Sequence, residues 1–230
     1  MPFFFYDYYY IILVIPAMIL ALIAQIKVKS TYNKFAKVGN SRGITGAYAA
    51  QAVLTHYGIN DVRIEQVSGK LSDHYDPKSK VIRLSSEVYS GSSIAAVGIA
   101  CHEAGHAAQH AENYAPVKVR NSLVPVCNIG SSLGIPIAIL GYFLGFEPLI
   151  VIGLMLYALI AVFHLVTLPV EFNASRRAIN VIDDTRLLYD DEISGAKKVL
   201  TAAAMTYVAS LVVAIANLLR LILRFNNRRN

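Results

Sequence analysis

At 230 residues, 55% of them hydrophobic, with a net charge of +6 and no tryptophan, the chain is long enough for one or two small soluble domains. Its apolar residues are too clustered for that: they gather into four long blocks, the pattern of a membrane protein. The positive charge flanks those blocks and forms no basic stretch with interleaved exposed aromatics, which excludes nucleic-acid binding, and two cysteines, Cys101 and Cys127, exclude a disulfide framework.

The first block, Tyr8 to Ile26, reads "YYYIILVIPAMILALIAQI". It is close to the roughly 20 apolar residues that cross a bilayer as a helix. No positive residue precedes it and no small-residue cleavage site follows, so it reads as an anchor and not as a cleavable signal. The aromatic run "FFFYDYYY" before it suits an interfacial belt. Lys27, Lys29, Lys34, Lys37 and Arg42 follow it, which predicts an outside N-terminus and a cytoplasmic C-terminal side.

A polar region of the size of a small domain comes next, 27–121. "SRGITGAYAAQAVLTHYGI" predicts a helix with Gly58 near its C-cap. "DVRIEQV" alternates like a strand. "LSDHYDPKSKVIRLS" reads as a hairpin with its turn at "DPKSK", and its strand "KVIRLS" is expected to offer an edge to an extended substrate. A long helix then runs from about Ser92 to about Asn113, capped by the serines of "SGSS" and ending before Pro116.

That helix carries "HEAGH": His102, Glu103 and His106. Two imidazoles at i and i+4 share a helix face and can converge on one Zn²⁺ at about 2.0–2.1 Å each. Glu103, on the same turn, is placed to take a proton from a water at the metal, as general base. With six His and seven Glu in the chain, such a pattern is expected by chance only about 0.005 times, so the signal is specific. His110 lies one turn beyond His106, and three successive turns cannot close on one ion, since His110 sits roughly 12 Å along the axis from His102. It is either an outer-shell or rim group or a plain polar helix residue. Cys101 lacks the paired spacing of a thiolate zinc site and reads, like Cys127, as a small apolar residue.

The second and third blocks, Leu123 to Phe146 and Pro148 to Val170, are joined by the short turn "GFEP" and predict a transmembrane hairpin, residues 122–170. The hairpin returns the chain to the side from which His106 emerges. Glu171, in "LPVEFNASRRA", then stands either as a third ligand or as the charge that marks a helix leaving the membrane. Ser175, one turn on, can hydrogen-bond a metal-binding histidine. Tyr75, His110, Arg176 and Arg177 are candidates to stabilise an oxyanion, although the arginines equally suit lipid headgroups. His164, seven residues before Glu171, shares its helix face and is either an interior functional group or a packing residue.

Residues 171–200 start as a helix and end in a polar loop. The fourth block, Thr201 to Leu223, contains Arg220 and is followed by the basic tail "RFNNRRN". If it spans, that tail faces outside against the charge rule; otherwise it re-enters or lies in the interface. The expected organisation is an anchor (1–26), a cytoplasmic region with the zinc helix (27–121), the hairpin (122–170), a second cytoplasmic segment (171–200) and a fourth hydrophobic helix with its tail (201–230). The expected fold class is mainly α: a polytopic helical membrane protein with a small α+β metallopeptidase domain. The partners expected are the bilayer, a peptide or membrane-protein substrate, and a membrane-protein partner or second copy. No nucleic acid is expected.

The stretches "LSDHYDP…VIRLS", "IACHEAGHAAQH" and "LPVEFNASRRA" together resemble the YugP-like family of membrane neutral zinc metallopeptidases, over nearly the whole chain. That family looks like distant kin of the HtpX-type and CAAX prenyl proteases of the gluzincin group, which pair H-E-x-x-H with a downstream E-x-x-x-D. The resemblance implies Glu171 as the third ligand and puts Ser175 where the aspartate would stand. It further implies zinc, peptide-bond hydrolysis and a cytoplasm-facing site in the plasma membrane. A zinc-bound but inactive scaffold is the competing expectation, opposed by Glu103, for which a structural site has no use. A small transporter subunit would need more polar residues in its spans than Asn128, His164 and Asn217.

Overall fold

A computed structural model describes residues 7–70 and 72–226. The rest of the aromatic run before Asp7, Leu71 of the hairpin stretch, and Arg228 and Arg229 of the basic tail lie outside the described residues. Residue contacts divide the chain into two units, one of Met1–Gln25, Lys118–Leu168 and Met205–Asn230, the other of Ile26–Val117 and Pro169–Ala204. The fold is mainly α with a small α+β part, as the blocks and the alternating stretches predict.

The first unit is built from stretches of four helices long and apolar enough to cross a membrane. A π-helical turn, Tyr10–Val14, leads into α1 (Ile15–Phe35), and the other three are α5 (Ala115–Leu144), α6 (Glu147–Asp184) and α7 (Asp190–Asn226). Ile19, Leu22, Phe143, Met155 and Leu165 are exposed on them, as lipid-facing residues would be. Without a hydrophobic drive between helices in lipid, small residues decide where they meet. Gly153 is one such point: a Cβ there would collide with the backbone of Ala138 and Gly134. The fourth block forms one unbroken helix. Its Arg220 Nε donates to Asp7 Oδ2 at 2.7 Å, and Arg224 pairs with the same oxygen. The charge that argued against a span therefore has a partner 213 residues away.

The second unit holds the α+β part. Thr45 caps α2 (Gly46–His56) by accepting from Tyr48 N–H, and Gly58 takes the left-handed φ of +65° that ends the turn after it. Strands β1 (Arg63–Val67), β2 (His74–Asp76) and β3 (Val81–Ser85) make a sheet ordered β1-β3-β2. β1 runs parallel to β3 and β2 antiparallel to it, with Tyr75 opposite Ile82. The hairpin turn is held by Asp76, whose Oδ1 accepts from Lys78 N–H, and by Lys80 in the left-handed region. This corrects one expectation. "KVIRLS" is the central strand, hydrogen-bonded on both sides and almost wholly buried, so it has no edge to offer. The edges belong to β1 and β2. A short α3 (Ser86–Tyr89) then leads to α4 (Ile94–Ala111). Ala49, Val53 and Leu54 of α2, Ile82 and Leu84 of β3, Val97, Ala100 and Ala104 of α4, and Ala178, Val181 and Ile182 of α6 form one buried core.

Candidate metal centre

Ser93 starts α4 by accepting from Ala96 N–H at 3.1 Å, which satisfies one of the helix's open donors. From there the helix is Ala- and Gly-rich, and Ala100, Ala104, Gly105, Ala107 and Ala108 are all buried. Small side chains let neighbouring backbones come close. Gly105 shows how close: a Cβ at that position would lie 2.7 Å from the carbonyl oxygen of Ala174 in α6. Even alanine has no room there. The approach brings the face bearing His102 and His106 against the stretch of α6 that begins at Pro169.

The three side chains that the sequence singles out converge. The His102 and His106 rings lie 4.7 Å apart and nearly perpendicular. Their Nε2 atoms stand 3.4 and 3.7 Å from Glu171 Oε2. One ligand atom from each of the three falls within 4.8 Å of the others, the only such metal-capable group of His, Cys, Asp and Glu found among the described residues. Glu171 is buried at 4% exposure, and the histidines are half-buried. Burial opposes charge on His106, but the hydrogen bond and charge of Glu171, the charge of Glu103 and the contact with Gln109 outweigh it and hold its pKa above the ordinary value. The site thus has a negative potential that favours a cation. Two imidazoles and a carboxylate converging within 4.8 Å form a donor set that fits Zn²⁺.

Around these three, each imidazole is held by its other nitrogen. His102 Nδ1 meets Ser175 Oγ at 3.1 Å, and His106 Nδ1 meets Gln109 Oε1 at 3.0 Å. Glu103 stands apart from the ligand group, and its Oε2 accepts from the backbone N–H of Tyr75 in β2 at 3.0 Å. The Tyr75 ring packs edge-on against His110, 5.5 Å between centroids. Burial first, then the charges of Asp61 and Asp76, raise the pKa of its phenol, so it is an O–H donor at neutral pH. His110 is not among the converging ligands.

The other candidates separate. Arg176 is exposed. Arg177 is engaged away from the imidazoles: its guanidinium pairs with Glu112 at 2.7 Å and donates from Nε to Asn173 Oδ1 at 2.8 Å. His164 belongs to the other unit. Cys101 is buried, with its thiol directed at Ala49 O, and burial pushes its pKa up, away from thiolate chemistry. Gln109 was missed on the sequence. Its place three residues after His106, on the same helix face, is the signal that could have found it.

The family model described as "putative neutral zinc metallopeptidase" matches residues 10–226. The chain is 44% identical over 221 residues to a protein of Bacillus subtilis (strain 168) named "Putative membrane protease YugP", an alignment covering 96% of this chain and 98% of that protein. No solved structure matches this chain.

Proposed function

The chain belongs to the family described as "putative neutral zinc metallopeptidase", and from that premise we propose that it hydrolyses peptide bonds at the cytoplasmic face of the plasma membrane as a zinc-dependent endopeptidase. The observation that carries this reading is the convergence of His102, His106 and Glu171 with a fourth group, Glu103, left outside the ligand set and one residue from His102.

In this reading His102, His106 and Glu171 hold the metal. Zinc bound there supplies Lewis-acid polarisation of a carbonyl and of water. Glu103 takes the proton from the attacking water and later passes it to the departing amine. The Tyr75 N–H holds the carboxylate of Glu103 in place from one side. That N–H points away from β3, so the outer side of β2 faces Glu103, and an extended peptide laid along β2 beyond that contact would bring its backbone to the base. Tyr75 and His110, whose rings pack together, are the remaining candidates to stabilise an oxyanion. A test uses purified protein in liposomes with casein or a membrane-protein substrate. Cleavage should stop on chelation and return with zinc. Zinc uptake without cleavage of any substrate tried would favour the inactive scaffold.

The orientation rests on the lysines after the first span, and α7 is read as crossing as a fourth span. An unbroken helix and the pairing of Arg220 and Arg224 with Asp7 support that crossing. Both native cysteines are buried, so a thiol introduced by Lys37→Cys, at an exposed position, reports topology cleanly. It should resist a membrane-impermeant maleimide in intact cells and react after permeabilisation. Labelling in intact cells would reverse the orientation.

A further inference from the structure

We propose that Arg177, Asn173 and Gln109 form a one-way hydrogen-bond relay that fixes the tautomer of His106, and with it the nitrogen that His106 offers to the metal. The proposal deepens the zinc reading above and rests on it only for its metal-affinity arm.

The direction follows from what each group is able to do. Heavy-atom positions do not distinguish an amide oxygen from an amide nitrogen, but a guanidinium has donors only. Arg177 Nε stands 2.8 Å from the Asn173 side chain, so the atom it meets is the oxygen, Oδ1. The same oxygen lies 3.0 Å from the Gln109 amide, which must therefore present its NH₂. That NH₂ also reaches the carbonyl of Val170, at 2.8 Å, and a carbonyl can only accept. Gln109 is left with its Oε1 towards His106 Nδ1, 3.0 Å away. An oxygen that can only accept requires the proton on Nδ1. The lone pair of His106 is then on Nε2, the atom that faces Glu171.

The reverse setting is expensive. Turning Gln109 over would set its oxygen against two other oxygens, those of Val170 and Asn173. Gln109 has no exposed surface, so water cannot relieve the clash. Arg177 itself is anchored by the Glu112 carboxylate at 2.7 Å and lies over the rings of Tyr57 and Tyr114, at 5.4 and 5.9 Å. His102 is different. Its partner is the Ser175 hydroxyl, which donates or accepts equally well and imposes no direction. The protein thus dictates one imidazole and leaves the other free to adapt. Arg177, Asn173 and Gln109 are positioning residues, acting through His106.

The test uses the full-length protein in detergent micelles, stripped of metal, with ring-¹⁵N histidine, at alkaline pH where the imidazoles are neutral. Two-bond ¹H–¹⁵N spectra, with His106 assigned by its loss in His106→Gln, should show the Nδ1–H form for His106 in the parent. Asn173→Ala and Arg177→Met, which leave the Val170 carbonyl as the one remaining guide for the Gln109 amide, should admit a fraction of the Nε2–H form and lower zinc affinity by about 10–100-fold, the usual cost of losing an outer partner. Asn173→Asp, which keeps an oxygen acceptor for both donors, should hold the parent's spectrum. A merely structural role would not separate Asp from Ala in this way. An Nε2–H His106 in the parent, or an unchanged spectrum and affinity in folded Asn173→Ala or Arg177→Met, overturns the relay. The parent's spectrum decides the matter even if both variants misfold. Nδ1–H in a parent that takes up no zinc would keep the relay and remove the zinc reading, whereas tight zinc binding with an indifferent His106 would do the opposite.

Discussion

Glu103→Gln is expected to keep its zinc and to lose peptide hydrolysis by at least about 10²-fold, with about 10⁴-fold the upper end for the loss of one general base. The substitution keeps the size of the side chain and leaves His102, His106 and Glu171 untouched. Retention of the metal follows, because Glu103 bonds to the Tyr75 N–H and stands outside the converging group. The glutamine oxygen can still accept that N–H, so strand β2 has no reason to move. What disappears is the capacity to carry a proton between water and the departing amine. Zinc content and turnover, measured on the same preparation, separate the two effects. Equal turnover in parent and variant would exclude Glu103 as the base; loss of zinc along with activity would make it a ligand or a structural support instead.

Glu171→Ala is expected to lose zinc, and His110→Ala to retain it. Glu171 is the one ligand candidate supplied by another helix, and its Oε2 lies between the two imidazoles at 3.4 and 3.7 Å. Two histidines from a single helix hold zinc weakly against solvent, and the carboxylate supplies the only negative charge of the set. The fall in affinity should exceed the roughly 10–100-fold typical of an outer partner. His110 instead packs on the Tyr75 ring and is outside the converging group. Metal content of the two variants after dialysis, side by side, decides. Full zinc in Glu171→Ala, or its loss in His110→Ala, would mean that the helix finds its third ligand elsewhere.

Much of this arrangement was legible because it is written in local periodicity. The four helices long and apolar enough to cross a membrane follow from length and composition, and His102 and His106 from one-turn spacing. Ser175 was readable as a partner for a ligand histidine because it follows Glu171 by one turn, and its hydroxyl does meet His102. What escaped depends on pairing between distant segments. Nothing near Arg220 announces Asp7 as its partner, so the fourth block looked compromised as a span. Arg177 was read as free to serve an oxyanion, but Glu112 and Asn173 already engage it. Gln109 looked like an ordinary polar residue in an alanine helix, since an amide has no chemistry of its own until its neighbours fix which end is which. The sheet order also escaped: alternation marks a strand, yet it does not tell a central strand from an edge one, and β3 turned out to be paired on both sides.

Because Gly105 lets the backbones of α4 and α6 meet at Ala174, the ligand side chains ride on segments that the apolar core has already ordered. A ligand set carried on loops gives up about 1–2 kcal/mol of backbone entropy for every residue that metal capture must freeze. Here folding has removed that freedom beforehand. Metal uptake should then add stability in proportion to the logarithm of the free metal concentration, and not switch folding on as it does in zinc fingers. On the function proposed above, the chain folds while metal is scarce, and the supply of the ion decides afterwards how much of the protein is active.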